Sequence, residues 1–181
     1  VDKINKNVTI PYILVDDTKK ALQDLAAAYM EELTCKVIAI TGSNGKTTTK
    51  DLLFNVLSEK YKTQKTMGNL NNEIGVPKTV LSLNEETEIA IIELGTDNFG
   101  DISLTSQIVR PDISIITNIG DSHLENLKSR SGILKAKLEI LEGMDDDGIF
   151  IYNIDDETMK DEIPNYKIKQ KILSFGTNPG A

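Results

Sequence analysis

Short apolar runs alternate with longer amphipathic stretches along this chain. Residues 36–41 (KVIAIT), 89–94, 113–117 and 148–152 are almost continuously apolar over strand length. That is the pattern of strands buried on both faces of a parallel sheet. Residues 10–15 read as a further short strand. Between the runs the period changes. After Asp17, a residue suited to cap a helix, Leu22, Leu25, Ala26, Tyr29 and Leu33 recur at helical spacing. A second helix is expected to open directly after the 36–41 strand and run to about Leu57, and residues 133–141 read as a third. Strands alternating with helices predict an α/β fold, a mostly parallel sheet with flanking helices. The acidic run Asp145-Asp146-Asp147 before Gly148 reads as a solvated turn.

The chain has 181 residues, enough for one domain with a real core. Its net charge of −8 argues against nucleic acid as a partner, because tracking phosphates needs a basic excess. No apolar run approaches the roughly 20 residues of a membrane span. The opening residues, VDKINKNVTI, lack the apolar core of a secretion signal. A single cysteine, Cys35, excludes an internal disulfide and reads as a small buried residue beside a strand. Together these features predict a cytoplasmic protein, and a monomer is expected. Both ends break off within the pattern, which suggests a piece of a longer polypeptide.

Gly42-Ser43-Asn44-Gly45-Lys46-Thr47-Thr48 lies between an apolar strand and a helix, where a phosphate cradle has to be. Its glycines let the backbone aim N–H groups at phosphate oxygens, and the helix N-terminus adds partial positive charge. Lys46 is placed to reach the β- and γ-phosphates of ATP and the Thr47 hydroxyl to hold Mg²⁺. The longer form of this motif needs glycine at position 40, where this chain has Ile40, so the loop is a shortened variant. Glu93 ends one of the buried strands, where a carboxylate can take part in Mg²⁺ binding. The only histidine, His123, follows the 113–117 strand and reaches the same rim, with Asn118 and Asp121 as further polar candidates. By spacing alone, Lys137 sits on an exposed amphipathic helix face.

At these residues the chain resembles the central domain of the Mur ligases, the enzymes that build the peptide stem of bacterial cell-wall precursors. The resemblance is carried by Thr41-Gly42-Ser43-Asn44-Gly45-Lys46-Thr47-Thr48, by GNLNNEIGVP at residues 68–77, by Glu93-Leu94-Gly95, and by TNIGDSHL at residues 117–124. The 68–77 segment is most similar to the branch of the family that adds a dipeptide. The resemblance implies an ATP-dependent amide ligase that joins D-alanyl-D-alanine to UDP-MurNAc-tripeptide through an acyl phosphate. It implies that residues 42–48 bind ATP and that Thr47 and Glu93 hold one Mg²⁺, while His123 helps hold a second. Lys137 matches the lysine that the family carbamylates with CO₂, whereas Lys135 does not match that position. Asn71 and Asn72 are implied to face nucleotide phosphate or the acceptor carboxylate. Asp97-Asn98 stand where many relatives carry Asn-His. By the same resemblance, residues 1–33 are a lead-in from a preceding domain or linker. Residues 34–181 are then an incomplete ATP-binding domain, without the domains that grip the UDP-sugar and the incoming dipeptide. Alternatives are a sister ligase, such as another Mur ligase or a folylpolyglutamate synthase, and a regulatory P-loop ATPase that would leave His123 and Lys137 idle.

Overall fold

The structure, a computed structural model, describes residues 3, 10–122 and 124–177. Six strands form one sheet: β1 (Lys36–Thr41), β2 (Thr63–Lys65), β3 (Ile89–Glu93), β4 (Ile113–Ile116), β5 (Ile149–Asn153) and β6 (Lys171–Phe175). The order is β2-β3-β1-β4-β5-β6, and every neighbouring pair is parallel. The parallel α/β expectation holds. The chain leaves β1 toward β2 on one side and reaches β4 on the other. The carboxyl ends of β1, β3 and β4 therefore meet at the point where the winding reverses, the place where open α/β sheets bind ligands.

Among the described residues seven α-helices flank the sheet: α1 (Thr18–Glu32), which precedes β1, then α2 (Lys46–Leu57), α3 (Gly75–Val80), α4 (Asp101–Val109), α5 (Leu124–Leu127), α6 (Arg130–Leu138) and α7 (Glu157–Glu162). Alternation along the strands splits the core into two. Val37, Ala39, Ala90, Ile92, Phe150 and Tyr152 face the larger layer, where α3, α4, α6 and α7 pack, with α1 laid over α3 and α4. Ile38, Ile40, Ile91 and Ile115 face the other side, covered by Leu53, Phe54 and Leu57 of α2. Cys35 is buried just before β1, as expected of a small residue beside a strand, and burial pushes its thiol above the ordinary value.

One expectation fails on this backbone and a second holds in part. Residues 10–15 form no strand; they run without regular structure, with Ile13 80% exposed, because no sheet edge lies alongside to pair with them. In α1, Asp17 does cap the helix, accepting from the Lys19 and Lys20 amides. Of the expected inner face Ala26 is buried, Leu22 is half-buried and Tyr29 and Leu33 pack partly buried against the core, whereas Leu25 points to solvent and Gln23 and Met30 are buried beside them. Gln23 is drawn inside because its side-chain amide donates to the Glu73 carbonyl at 3.1 Å.

Candidate active site

The phosphate loop leaves β1 and becomes the first turn of α2. Gly45 precedes the helix at φ 78°, a conformation that costs an L-residue about 1–2 kcal/mol and glycine almost nothing. A Cβ at Gly45 would meet no atom within 4 Å, so the space over the loop is open. At Gly42 the reverse holds: a Cβ would lie 1.9 Å from Thr117 Oγ1. That close approach exists because the segment after β4 braces the loop. The Thr117 hydroxyl and the Asn118 amide both donate to the Asn44 carbonyl, at 2.6 and 3.0 Å. The Asn44 N–H donates to Asn118 Oδ1 at 2.9 Å, and the Gly120 N–H to Ser43 Oγ at 2.8 Å. Asn118 is thus a brace of the loop, while Asp121 is paired with Arg130 at 2.8 Å.

Lys46 donates to the Gly42 carbonyl at 2.8 Å, folded back over its own loop. Burial lowers its affinity for a proton, and the charge of Glu93 works in the opposite direction. Glu93 closes β3 and is only 2% exposed, so it is no solvent-facing strand end. Its Oε2 accepts from the Thr47 hydroxyl at 3.0 Å and its Oε1 from the Asn71 side-chain amide at 2.9 Å. A lysine that sequence reasoning passed over, Lys50, lies 3.5 Å from Oε2 and is itself buried. Its signal was available: Lys50 follows Lys46 and Thr47 by four and three positions on one helix, so the three share a face.

Lys137 overturns its reading as an exposed helix lysine. It is 3% exposed at the end of α6, because the side chain points inward to the sheet rim rather than along the helix surface. Burial, helped by the nearby charge of Lys46, lowers its pKa from 10.5 to about 7. Lys135, two residues earlier, stays outside over the Phe99 ring. One cavity of about 480 Å³ is lined by Gly42, Ser43, Lys46, Asn71, Asn72 and Lys137, with Glu73, Asp97, Asn98 and Asp101 on its walls. Asn72 Oδ1 accepts from the Ile74 and Gly75 amides at 3.2 and 2.8 Å and so fixes the start of α3. His123 lies outside the described residues.

Among the described residues no cluster of three or more His, Cys, Asp or Glu side chains is set to enclose a metal ion. Mg²⁺ favours one or two protein oxygens with phosphate and water completing the shell. Thr47 Oγ1 and Glu93, adjacent at the phosphate loop, fit that demand.

The family model for the Mur ligase middle domain matches residues 40–181. The chain is 50% identical over 166 residues to UDP-N-acetylmuramoyl-tripeptide–D-alanyl-D-alanine ligase of Bacillus subtilis (strain 168), covering 92% of this chain and 36% of that protein. Its fold matches MurF from Acinetobacter baumannii with a TM-score of 0.90 at 40% identity, covering 98% of this chain and 38% of that one. MurF from Thermotoga maritima, solved in complex with ADP, matches with a TM-score of 0.85 at 33% identity, covering 97% and 40%. The chain thus spans little more than a third of the length of the relatives it matches. By these likenesses, and by the motif geometry that accompanies them, the chain belongs to the Mur ligase family and corresponds to its middle domain.

Proposed function

We propose that this chain is the nucleotide-binding core of a cytoplasmic, monomeric ATP-dependent ligase that joins D-alanyl-D-alanine to UDP-MurNAc-tripeptide. The observation that carries this reading is the cavity lined both by the phosphate loop and by a buried lysine whose pKa is lowered to about 7. The Bacillus subtilis relative bears the name of that ligase, and the Thermotoga maritima structure holds ADP.

Amide formation from a free carboxylate needs activation, because an oxide leaving group departs too slowly near neutral pH. In the proposed reaction the acceptor carboxylate attacks the γ-phosphorus of ATP, releasing ADP and giving an acyl phosphate. The amine of D-alanyl-D-alanine then adds to the acyl carbon and phosphate leaves. The amides of residues 42–48 hold the β- and γ-phosphates, and Lys46 exchanges its Gly42 contact for a phosphate oxygen. Thr47 and Glu93 would hold one Mg²⁺, which would supply charge compensation for the transferring group. Asn71 keeps Glu93 turned to that task, and Asn72 stands on the wall facing nucleotide or acceptor. With a pKa of about 7, Lys137 offers a neutral amine that can attack CO₂, losing a proton to leave an anionic carbamate. The carbamate and His123 are the proposed holders of a second Mg²⁺.

The test is ADP release by the full-length polypeptide with Mg-ATP, UDP-MurNAc-tripeptide and D-alanyl-D-alanine, omitting each in turn. Turnover that needs all three and yields the pentapeptide supports the reading. Turnover with a single amino acid in place of the dipeptide moves the protein to a sister ligase. Release indifferent to both acceptor and amine makes it an ATPase and ends the ligase proposal.

A further inference from the structure

We propose that Lys50 is a positioning residue for the cation and nucleotide, acting through Glu93; this rests on the nucleotide-site reading above. Lys50 heads the fully buried side chains by volume, at 2% exposure. Lysine is almost never buried to that extent unless it is paired. Its charged partner is Glu93, 3.5 Å away, and its ammonium also donates to the Gly68 carbonyl at 3.4 Å.

The arrangement divides labour between two lysines of one helix. Lys46 borders the cavity, whereas Lys50, a turn further along α2, is not among its lining residues and meets Glu93 instead. A carboxylate buried without a counter-ion turns to the nearest available cation, and the charge of Glu93 already acts on Lys46. Were the two to pair, Lys46 would leave the phosphates and Glu93 would turn away from Thr47. Lys50 satisfies the carboxylate at Oε2, the oxygen that also accepts from the Thr47 hydroxyl. Lys46 is then left beside Gly42, and Glu93 stays turned to Thr47. Removing a buried pair that only stabilised the fold would lower the melting temperature and leave ligand binding alone.

The test uses the full-length polypeptide, with Mn²⁺ as the probe. Mn²⁺ affinity in the presence of ADP is read by electron paramagnetic resonance, and ADP affinity in EDTA by calorimetry. Lys50→Met is expected to weaken Mn²⁺ binding by about tenfold or more, the usual loss when a ligand's supporting partner is removed. It is also expected to weaken metal-free ADP binding, because Lys46 is drawn to Glu93. Unchanged or tighter Mn²⁺ binding in a folded Lys50→Met protein overturns the proposal. Should that variant fail to fold, Glu93→Gln and Lys50→Met/Glu93→Gln decide, since neither strands a buried carboxylate and the double variant strands no buried ammonium either. With no carboxylate to hold, removing Lys50 must leave metal-free ADP affinity equal in the two. A loss in the double variant means that Lys50 acts on the nucleotide directly, and sinks the proposal. A wild-type protein that binds no ADP would overturn the nucleotide-site reading itself, a separate result.

Discussion

Lys137 carries a pH dependence whose sign follows from its burial. Its pKa is 10.5 in the ordinary case and about 7 here, lowered first by burial and then by Lys46. Between those values the unfolded chain holds a proton that the folded chain has released, so this group's contribution to stability rises with pH across that window. Below about 7 both states are protonated and the contribution is flat at its lowest. Denaturant midpoints of the full-length wild type are therefore expected to climb relative to Lys137→Met between neutral and alkaline pH. A constant difference would show that Lys137 titrates normally. The same pair tests the carbamate: ¹³C-bicarbonate should give a carbamate resonance in the wild type and none in Lys137→Met. Spacing alone could not find this residue, because residues 130–138 read equally well with their lysines outside. Only the turn of α6 toward the rim, fixed by buried Ile133, Leu134 and Ala136, decides which lysine goes in. Glu93 was legible for the opposite reason: a carboxylate ending a continuous apolar strand has few places to go but the rim.

The elements that sequence found were those whose burial is two-sided or periodic; those it missed have a local reason. β2 is three polar residues at the sheet edge, with no apolar run to announce it. α3 begins Gly-Val-Pro, which reads as a turn, yet proline is tolerated in a first turn and Asn72 ties up the leading amides. α4 buries Thr105 and Ser106, which break the apolar period. Ser106 earns its place by donating to the Ile140 carbonyl at 2.6 Å. The segment after β4 belongs to this scale too, because its hydrogen bonds hold the phosphate loop in shape. Asn118→Ala removes two of them. At about 0.5–1.5 kcal/mol each, their loss is expected to weaken Mg-ADP binding by roughly one order of magnitude while the fold persists. Calorimetry on the full-length polypeptide measures it, and unaltered affinity would mean that the loop holds its form without the brace.

At the scale of the molecule the two faces of the sheet are unequally served. The larger layer of helices spans it, whereas on the other face α2 packs chiefly over β1, β2 and β3. Register puts Leu173 beside Ile151 and Phe175 beside Asn153 on that second face, and both are left about two-fifths exposed, at 42% and 43%. Parallel sheets in α/β proteins are buried on both faces. The relatives extend well beyond the stretch this chain matches, since it covers 36% of the Bacillus subtilis protein. The expectation is that further polypeptide lies over β4–β6 in the whole protein. Leu173→Ala separates the cases by magnitude. A covered leucine should cost about 2–5 kcal/mol on truncation, whereas one left on the surface should stay within about 0.5. Urea unfolding of the full-length polypeptide reads the difference. A loss in the upper range would mean that the half of the sheet beyond β1 is core in the working protein, holding the β4 end of the phosphate loop as firmly as α2 holds the other. A loss near zero would leave that face open to solvent, and the loop braced from β4 by hydrogen bonds alone.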